Sequence, residues 1–250
     1  MNESAIKDLL YKIADDQLII GHRNSEWTGL GPLLEEDIAF ASMAQDKIGH
    51  CFAFYKLLNQ LGEAEPDSVA FNRKAAEFHC CHLVELPIGE YDFSLMRHFL
   101  FDTAEMIRFE MLSNSSWEPV AQISKKLTGE VKYHTMHAKI WIKQLGSAPE
   151  SIERLQRSLE YALPFALGIF EPSKFEKELA EENMFEGENI LKEKWIERVE
   201  EVISKTGLEM PDHKIMSPSF GGRYGEHTEH LQPLLNEMSE VFNIDPTAEW

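Results

Sequence analysis

Basic residues are scarce in this chain: 24 Lys and Arg stand against 43 Asp and Glu among 250 residues, a formal charge of −19. Such a surface repels phosphate backbones, and no Lys/Arg run is dense enough to neutralise several phosphates, so nucleic acid is not expected as a partner. Cysteine is scarcer still. Cys51, Cys80 and Cys81 cannot all pair and two of them are neighbours, which argues against a disulfide scaffold and suits the reducing cytoplasm. No stretch approaches ~18 uncharged apolar residues, and Met1–Tyr11 lacks a basic segment followed by an apolar one, so neither a membrane span nor a leader is expected. Glycine-rich phosphate loops, a nucleophile elbow, internal repeats and low-complexity segments are also missing.

What the chain does have is helical periodicity. Ile6, Leu9, Leu10, Ile13, Gln17 and Ile20 recur at three- and four-residue steps, which puts Gln17 on the apolar face of a first helix. Pro32 opens a second, about Leu33–Leu61, whose stripe Phe40, Met43, Lys47, His50, Phe54, Leu57 and Leu61 contains two polar intruders. A second apolar face, through Ile38, Ala41, Ile48 and Phe52, predicts that this helix is nearly central. A short helix around Val69–Leu83 is followed by a third long one at Tyr91–Ser113, with Leu95, Phe99, Asp102, Met106 and Phe109 on one face. The fourth, Glu118–Leu145, carries Val120, Ile123, Leu127, Val131, His134, Ala138 and Trp141 and stops at Gly146. Helical patterns continue at Ile152–Phe170, interrupted by Pro164, then at Lys174–Met184, Ile190–Lys205 and His227–Phe242, and no segment reads as a strand. With 43% hydrophobic residues the expectation is one all-α domain over residues 1–250, a core bundle at about 3–146 and a helical extension at about 150–250.

Four long helices with inward polar residues match the ferritin-like, di-iron carboxylate bundle, in which two helices each give one Glu and two others each give Glu-x-x-His. Positions i and i+3 share a helix face, so each such pair can hold metal between helices. This chain offers Gln17, then Lys47-Ile48-Gly49-His50, then Asp102, then Val131-Lys132-Tyr133-His134. Both histidines are present, but Lys and Val stand where the motif has Glu. Two divalent ions carry +4, whereas Gln17, Lys47, Asp102 and Val131 together carry no net charge. Protonated lysine has three donors and no acceptor, so Lys47 cannot be a ligand and reads as a substitute for the metal, paired with Asp102. Gln17, Lys47, His50, Asp102, Glu130 and His134 are therefore read as a vestigial site, a buried polar network without catalytic residues or metal. Glu130 offers a rescue by pairing with His134 at i and i+4, which keeps an alternative open: an active metal oxidase using His50, Asp102, Glu130 and His134.

Ala44-Gln45-Asp46-Lys47-Ile48-Gly49-His50, with Phe54-Tyr55 after it, resembles the Ala/Val-Gln-Asp-Glu-Ala-Gly-His motif of the catalytic subunits of the phenylacetyl-coenzyme A 1,2-epoxidase family, with Lys47 in place of the Glu. Gly21–Trp27 with Glu26-Trp27, the stretch Leu34–Ala41, Tyr133-His134, and Gly225-Glu226-His227-Thr228-Glu229-His230-Leu231 through to Trp250 look more like the non-catalytic β subunits of that family. The resemblance implies a subunit without a cofactor of its own, supporting a di-iron α subunit that epoxidises the aromatic ring of phenylacetyl-CoA with O2 and electrons from a reductase. It also implies small accessory subunits, and leaves a homo-oligomer open for the isolated chain. His227 and His230, one turn apart at the start of the last helix, are read as a partner contact. His79-Cys80-Cys81-His82 has metal-ligand composition, but adjacent cysteines on a helix diverge by ~100°, so it is read as structural.

Overall fold

The computed structural model describes residues 2–245. All regular structure among them is helical: α1 (Glu3–Ser25), α2 (Leu34–Gln60), α3 (Pro66–Phe71), α4 (His82–Glu85), α5 (Tyr91–Leu112), α6 (Glu118–Leu145), α7 (Pro149–Leu167), α8 (Glu176–Glu181), α9 (Glu188–Ile203) and α10 (Leu231–Ile244). The fold is all-α, in keeping with a ferritin-like helical protein. No helix among the described residues is long and apolar enough to cross a membrane. Local sequence sets the helix starts. Proline occupies the first turn of α3, α6 and α7, where its missing N–H costs no intrahelical bond, and Glu35, Glu36 and Asp37 complement the dipole at the start of α2.

The chain forms two compact units. The central unit comprises Met1–Ala5 and Ile88–Phe220, and the outer-sequence unit comprises Ile6–Pro87 and Gly221–Trp250; of the latter, the stretch up to Trp250 that carries part of the family resemblance lies beyond residue 245 and outside the described residues.

In the central unit α5 is the hub, packed against α6, α7 and α9. Leu95, Met96, Phe99, Leu100, Phe101 and Phe109 are buried around most of its circumference. Trp195 of α9 is fully buried and donates from Nε1 to the carbonyl of Leu100 at 2.8 Å, so its one polar atom is satisfied inside an apolar contact. Helix α7 continues through Pro164, where the pattern predicts an interruption. Pro164 lies in the last turn, and the only bond its ring removes is one to Glu160, an exposed residue whose carbonyl can turn to water. The Pro164 carbonyl accepts from the Ser219 backbone N–H at 3.0 Å.

In the outer-sequence unit α1 and α2 approach closely at Gly21, where a Cβ would lie 3.2 Å from Cβ of Lys47 and 2.9 Å from Cδ1 of Ile48. The second apolar face of α2 is not covered as the pattern suggests: Leu34, Ile38, Ile48 and Phe52 are exposed. Residues 66–85 do not form the single short helix expected at Val69–Leu83. They break into α3, one 3-10 turn at Ala75–Glu77, an extended stretch and α4. Distant acidic groups take the N–H groups a helix would use: His79 N–H goes to Asp15 Oδ2 at 2.7 Å and Cys81 N–H to Asp16 Oδ1 at 2.8 Å. The last helix begins at Leu231 rather than His227, because the Thr228 N–H is bound to Glu85 Oε2 at 2.8 Å in the segment before it.

Candidate functional site

The residues singled out by pattern divide between the two units. In the outer-sequence unit Gln17, Lys47 and His50 are buried, Gln17 and Lys47 completely, and each is engaged. Beside Gln17 on α1 are two buried carboxylates that periodicity does not pick out. Asp15 accepts from Tyr55 Oη at 2.6 Å and from both terminal nitrogens of Arg73, at 3.0 and 2.6 Å. The Arg73 guanidinium lies over the ring of Phe78, 3.9 Å from its centroid. Burial pushes the Asp15 carboxyl up, but the Arg73 charge and hydrogen bonds, with the Tyr55 hydroxyl, outweigh it and hold it below the usual carboxylate value. Asp16 forms a two-pronged pair with Arg223, both bonds at 2.8 Å, and Arg223 also donates to the carbonyls of Lys12 and His79. These pairs tie the irregular segments to α1.

In the central unit Asp102 and His134 are buried, and Asp102 is met by His98, one turn earlier on α5, through Nδ1 to Oδ2. His134 Nδ1 stands 3.8 Å from Asp102 Oδ1, beyond hydrogen-bond reach. His98 lies 6.3 Å from His134 and 5.6 Å from His137, centroid to centroid, so the imidazole that meets Asp102 has two further imidazoles beside it. The bundle pattern misses His98 and His137, although the four-residue step from His98 to Asp102 puts those two on one face. Glu130 does not belong to this buried group. It is exposed, while Val131, one ~100° step further round α6, is completely buried, and the core face therefore holds an apolar residue where the bundle motif has Glu.

Burial lowers the His98 imidazole below its ordinary value; Asp102 opposes this, and His137 and His134 add to the lowering. Its folded value thus lies below its unfolded one of ~6.5, so the stability it contributes is present above that pH and is lost as pH falls through the folded value. Urea denaturation of the wild type is expected to show stability declining from about pH 6.5 downward, and His98→Asn to flatten that part of the slope. Equal slopes in the two proteins would remove His98 as the source.

The phenylacetic acid catabolic protein family matches residues 1–250, the whole chain. The chain belongs to this family. Among its relatives the chain is similar to a subunit of the 1,2-phenylacetyl-CoA epoxidase of Escherichia coli (strain K12), 29% identical over 241 residues that cover 96% of this chain and 96% of that protein. The family match accords with the helical fold and with a role in phenylacetate catabolism. His227 and His230 lie in the segment that carries the strongest part of the resemblance, but they are not paired on a helix face. His227 turns inward to Glu85 and to the Phe78 carbonyl, and His230 is the residue immediately ahead of α10, its carbonyl accepting from Arg23 at 3.3 Å.

Proposed function

We propose that this chain is the structural, non-catalytic subunit of a multicomponent phenylacetyl-CoA ring-1,2-epoxidase in aerobic phenylacetate catabolism, a cytoplasmic partner of a separate di-iron catalytic subunit, with small accessory and reductase subunits as the other members of the complex. The observation that carries this reading is Lys47, completely buried on α2 at the position where the bundle motif requires a carboxylate. An ammonium cannot donate an electron pair to a metal, Val131 cannot either, and Glu130 lies on the exposed side of α6. These residues do not fit a two-iron centre, so no step of oxygen chemistry is assigned to them. The exposure of Glu130 also counts against the competing reading, a metal oxidase built on His50, Asp102, Glu130 and His134; stoichiometric iron after anaerobic loading would favour it.

The partner role is supported by surface that a solitary protein has no use for. Leu34, Ile38, Ile48 and Phe52 form an exposed apolar stripe along α2, and Tyr133, Met136 and Ile140 form another along α6. Within the α2 stripe stands Gly49, where an added Cβ would meet nothing within 4 Å. A mid-helix glycine costs about 1 kcal/mol relative to alanine, and no contact inside the described part of this chain offsets that cost. Close approach of a partner's backbone at Gly49 would.

The expected result is that the isolated chain, given O2 and reductase, does not turn over phenylacetyl-CoA, while its addition raises the activity or solubility of the catalytic subunit. The double change Ile38→Glu, Phe52→Glu should weaken that association by about a hundredfold or more, with a melting temperature close to wild type because both positions are exposed. Turnover by the isolated chain would overturn the non-catalytic reading. Unaltered association of the double variant would move the interface off α2.

A further inference from the structure

The donor atoms of Cys80, Glu85 and His227 lie within 4.8 Å of one another. Cys80 Sγ is 3.6 Å from Glu85 Oε1 and 4.0 Å from His227 Nδ1, and Nδ1 is 2.7 Å from the same Oε1. Cys80 and Glu85 are completely buried, and the His227 side chain is 5% exposed. We propose that these three side chains bind a single divalent metal ion of borderline softness, Zn(II) being the best match. This site is separate from the vestigial bundle site and does not rest on the epoxidase reading. It also departs from the expectation that the chain holds no metal.

Hydrogen-bond accounting supports the assignment. The Phe78 carbonyl, 3.1 Å from His227 Nε2, can only accept, so Nε2 carries a hydrogen and Nδ1 is the nitrogen directed at Glu85. A backbone carbonyl behind the ring is the arrangement that orients metal-binding histidines. Glu85 Oε2 is held by Thr228 through its N–H at 2.8 Å and its hydroxyl at 2.6 Å, which leaves Oε1 for a ligand. Among the described residues no Lys or Arg bonds the Glu85 carboxylate; Arg23 goes to the Glu85 backbone carbonyl instead. With Nε2 already a donor, a neutral ring would set a lone pair of Nδ1 against Oε1 at 2.7 Å. Without metal, one hydrogen must therefore lie between them, and the Cys80 thiol, pushed up by burial and by Glu85, keeps its own.

Binding replaces those two protons by one divalent ion: the thiol S–H and the hydrogen between Nδ1 and Oε1 leave, and metal–sulfur, metal–nitrogen and metal–oxygen bonds form. Two positive charges depart and two arrive, so the buried cluster keeps its net charge. Zinc at ~2.0 Å from N and O and ~2.3 Å from S would hold the ligand atoms about 3.3–3.5 Å apart. The Cys80 Sγ–Glu85 Oε1 distance is already near this, the Sγ–Nδ1 distance closes by about 0.5 Å, and the N–O pair opens by about 0.6 Å once its proton is gone. A fourth position remains for a water or another small ligand. The backbone is set for it. A Cβ at Gly222 would fall 2.2 Å from the Cys80 carbonyl oxygen and one at Gly225, with φ +81°, 2.4 Å from that of Ala76. Only glycines let these segments lie backbone to backbone, and the metal would staple the segment leading into α10 onto the one leading into α4.

The test uses the full chain, stripped with chelator and titrated with Zn(II) alone and with Co(II). Expected are one equivalent bound, two protons released, a near-ultraviolet thiolate-to-cobalt charge-transfer band, and a melting temperature that rises with free Zn(II). Cys80→Ser should weaken Zn(II) binding by about a hundredfold or more and abolish the band, and Thr228→Val by roughly tenfold. The Co(II) spectrum of the wild type needs no variant to fold. Absence of the charge-transfer band, or Zn(II) affinity unchanged in a folded Cys80→Ser protein, would overturn the proposal.

Discussion

Arg73→Ala is expected to destabilise the protein by about 3–5 kcal/mol at neutral pH, the range for removing one partner of a buried ion pair. Asp15, completely buried, would keep only the Tyr55 hydroxyl and the His79 N–H as donors. The sign of the pH dependence identifies the cause. In the wild type the Asp15 carboxyl is held low, so its contribution is present above the unfolded value of ~3.9 and is lost as pH falls through the folded one. Without Arg73, burial is opposed chiefly by the Tyr55 hydroxyl and raises the folded value. The contribution is then present below ~3.9 and is lost as pH rises through the folded value. Urea denaturation from about pH 4 to 8 should therefore show the variant's deficit growing with pH. Asp15→Asn with Arg73→Met, which removes both charges, should be milder than the single change. A deficit that stays constant with pH would mean that Arg73 acts through its packing on Phe78, not its charge.

The same pair explains why part of the fold is illegible in the sequence. The long helices announce themselves, because each buries a stripe with a 3.6-residue period over many turns, and α6 begins and ends where its Pro119 and Gly146 indicate. That period also exposes polar residues on core faces: Gln17, Lys47, His50, Asp102 and His134 stand on apolar stripes and are buried. Residues 66–85 and 221–230 have no such period. Their conformation is set by Asp15, Asp16 and Glu85, which draw backbone N–H groups and two arginines from up to 207 positions away. No local rule contains that information. One trace of it is in the sequence: Asp15-Asp16-Gln17 stand together between Ile13-Ala14 and Leu18-Ile19-Ile20, three successive positions that spread over ~200° of the helix, so the buried face cannot avoid a polar group that needs a partner. The exposed face of α2 is misread for a related reason. Periodicity shows that a face is apolar but not whether this chain or another one covers it.

Arg108→Met is expected to be as costly, and to act on a different part of the molecule. Arg108 is completely buried on α5 and donates to Glu105 Oε1 at 2.7 Å and to Glu188 Oε2 at 3.2 Å, both carboxylates being buried as well. One guanidinium thus serves two carboxylates, one on its own helix and one in the first turn of α9. Methionine keeps most of the side-chain volume, so the cavity contribution is small and the loss is electrostatic. It leaves two buried like charges facing the place of the missing cation, which should cost about 3–5 kcal/mol. For a chain of this size that lowers the melting temperature by about 10 °C. The loss should be uneven. Helix α9 depends on Glu188 at its start and on the Trp195 contact to Leu100, so hydrogen exchange over 188–203 should accelerate more than over the rest of α5. Adding Glu105→Leu and Glu188→Gln to Arg108→Met removes the three charges of this triad and should recover most of the stability, since a buried ion triad contributes little over a well-packed neutral one. If the triple variant is no more stable than Arg108→Met alone, the arginine is needed for its hydrogen bonds and shape, and charge neutralisation is not its role.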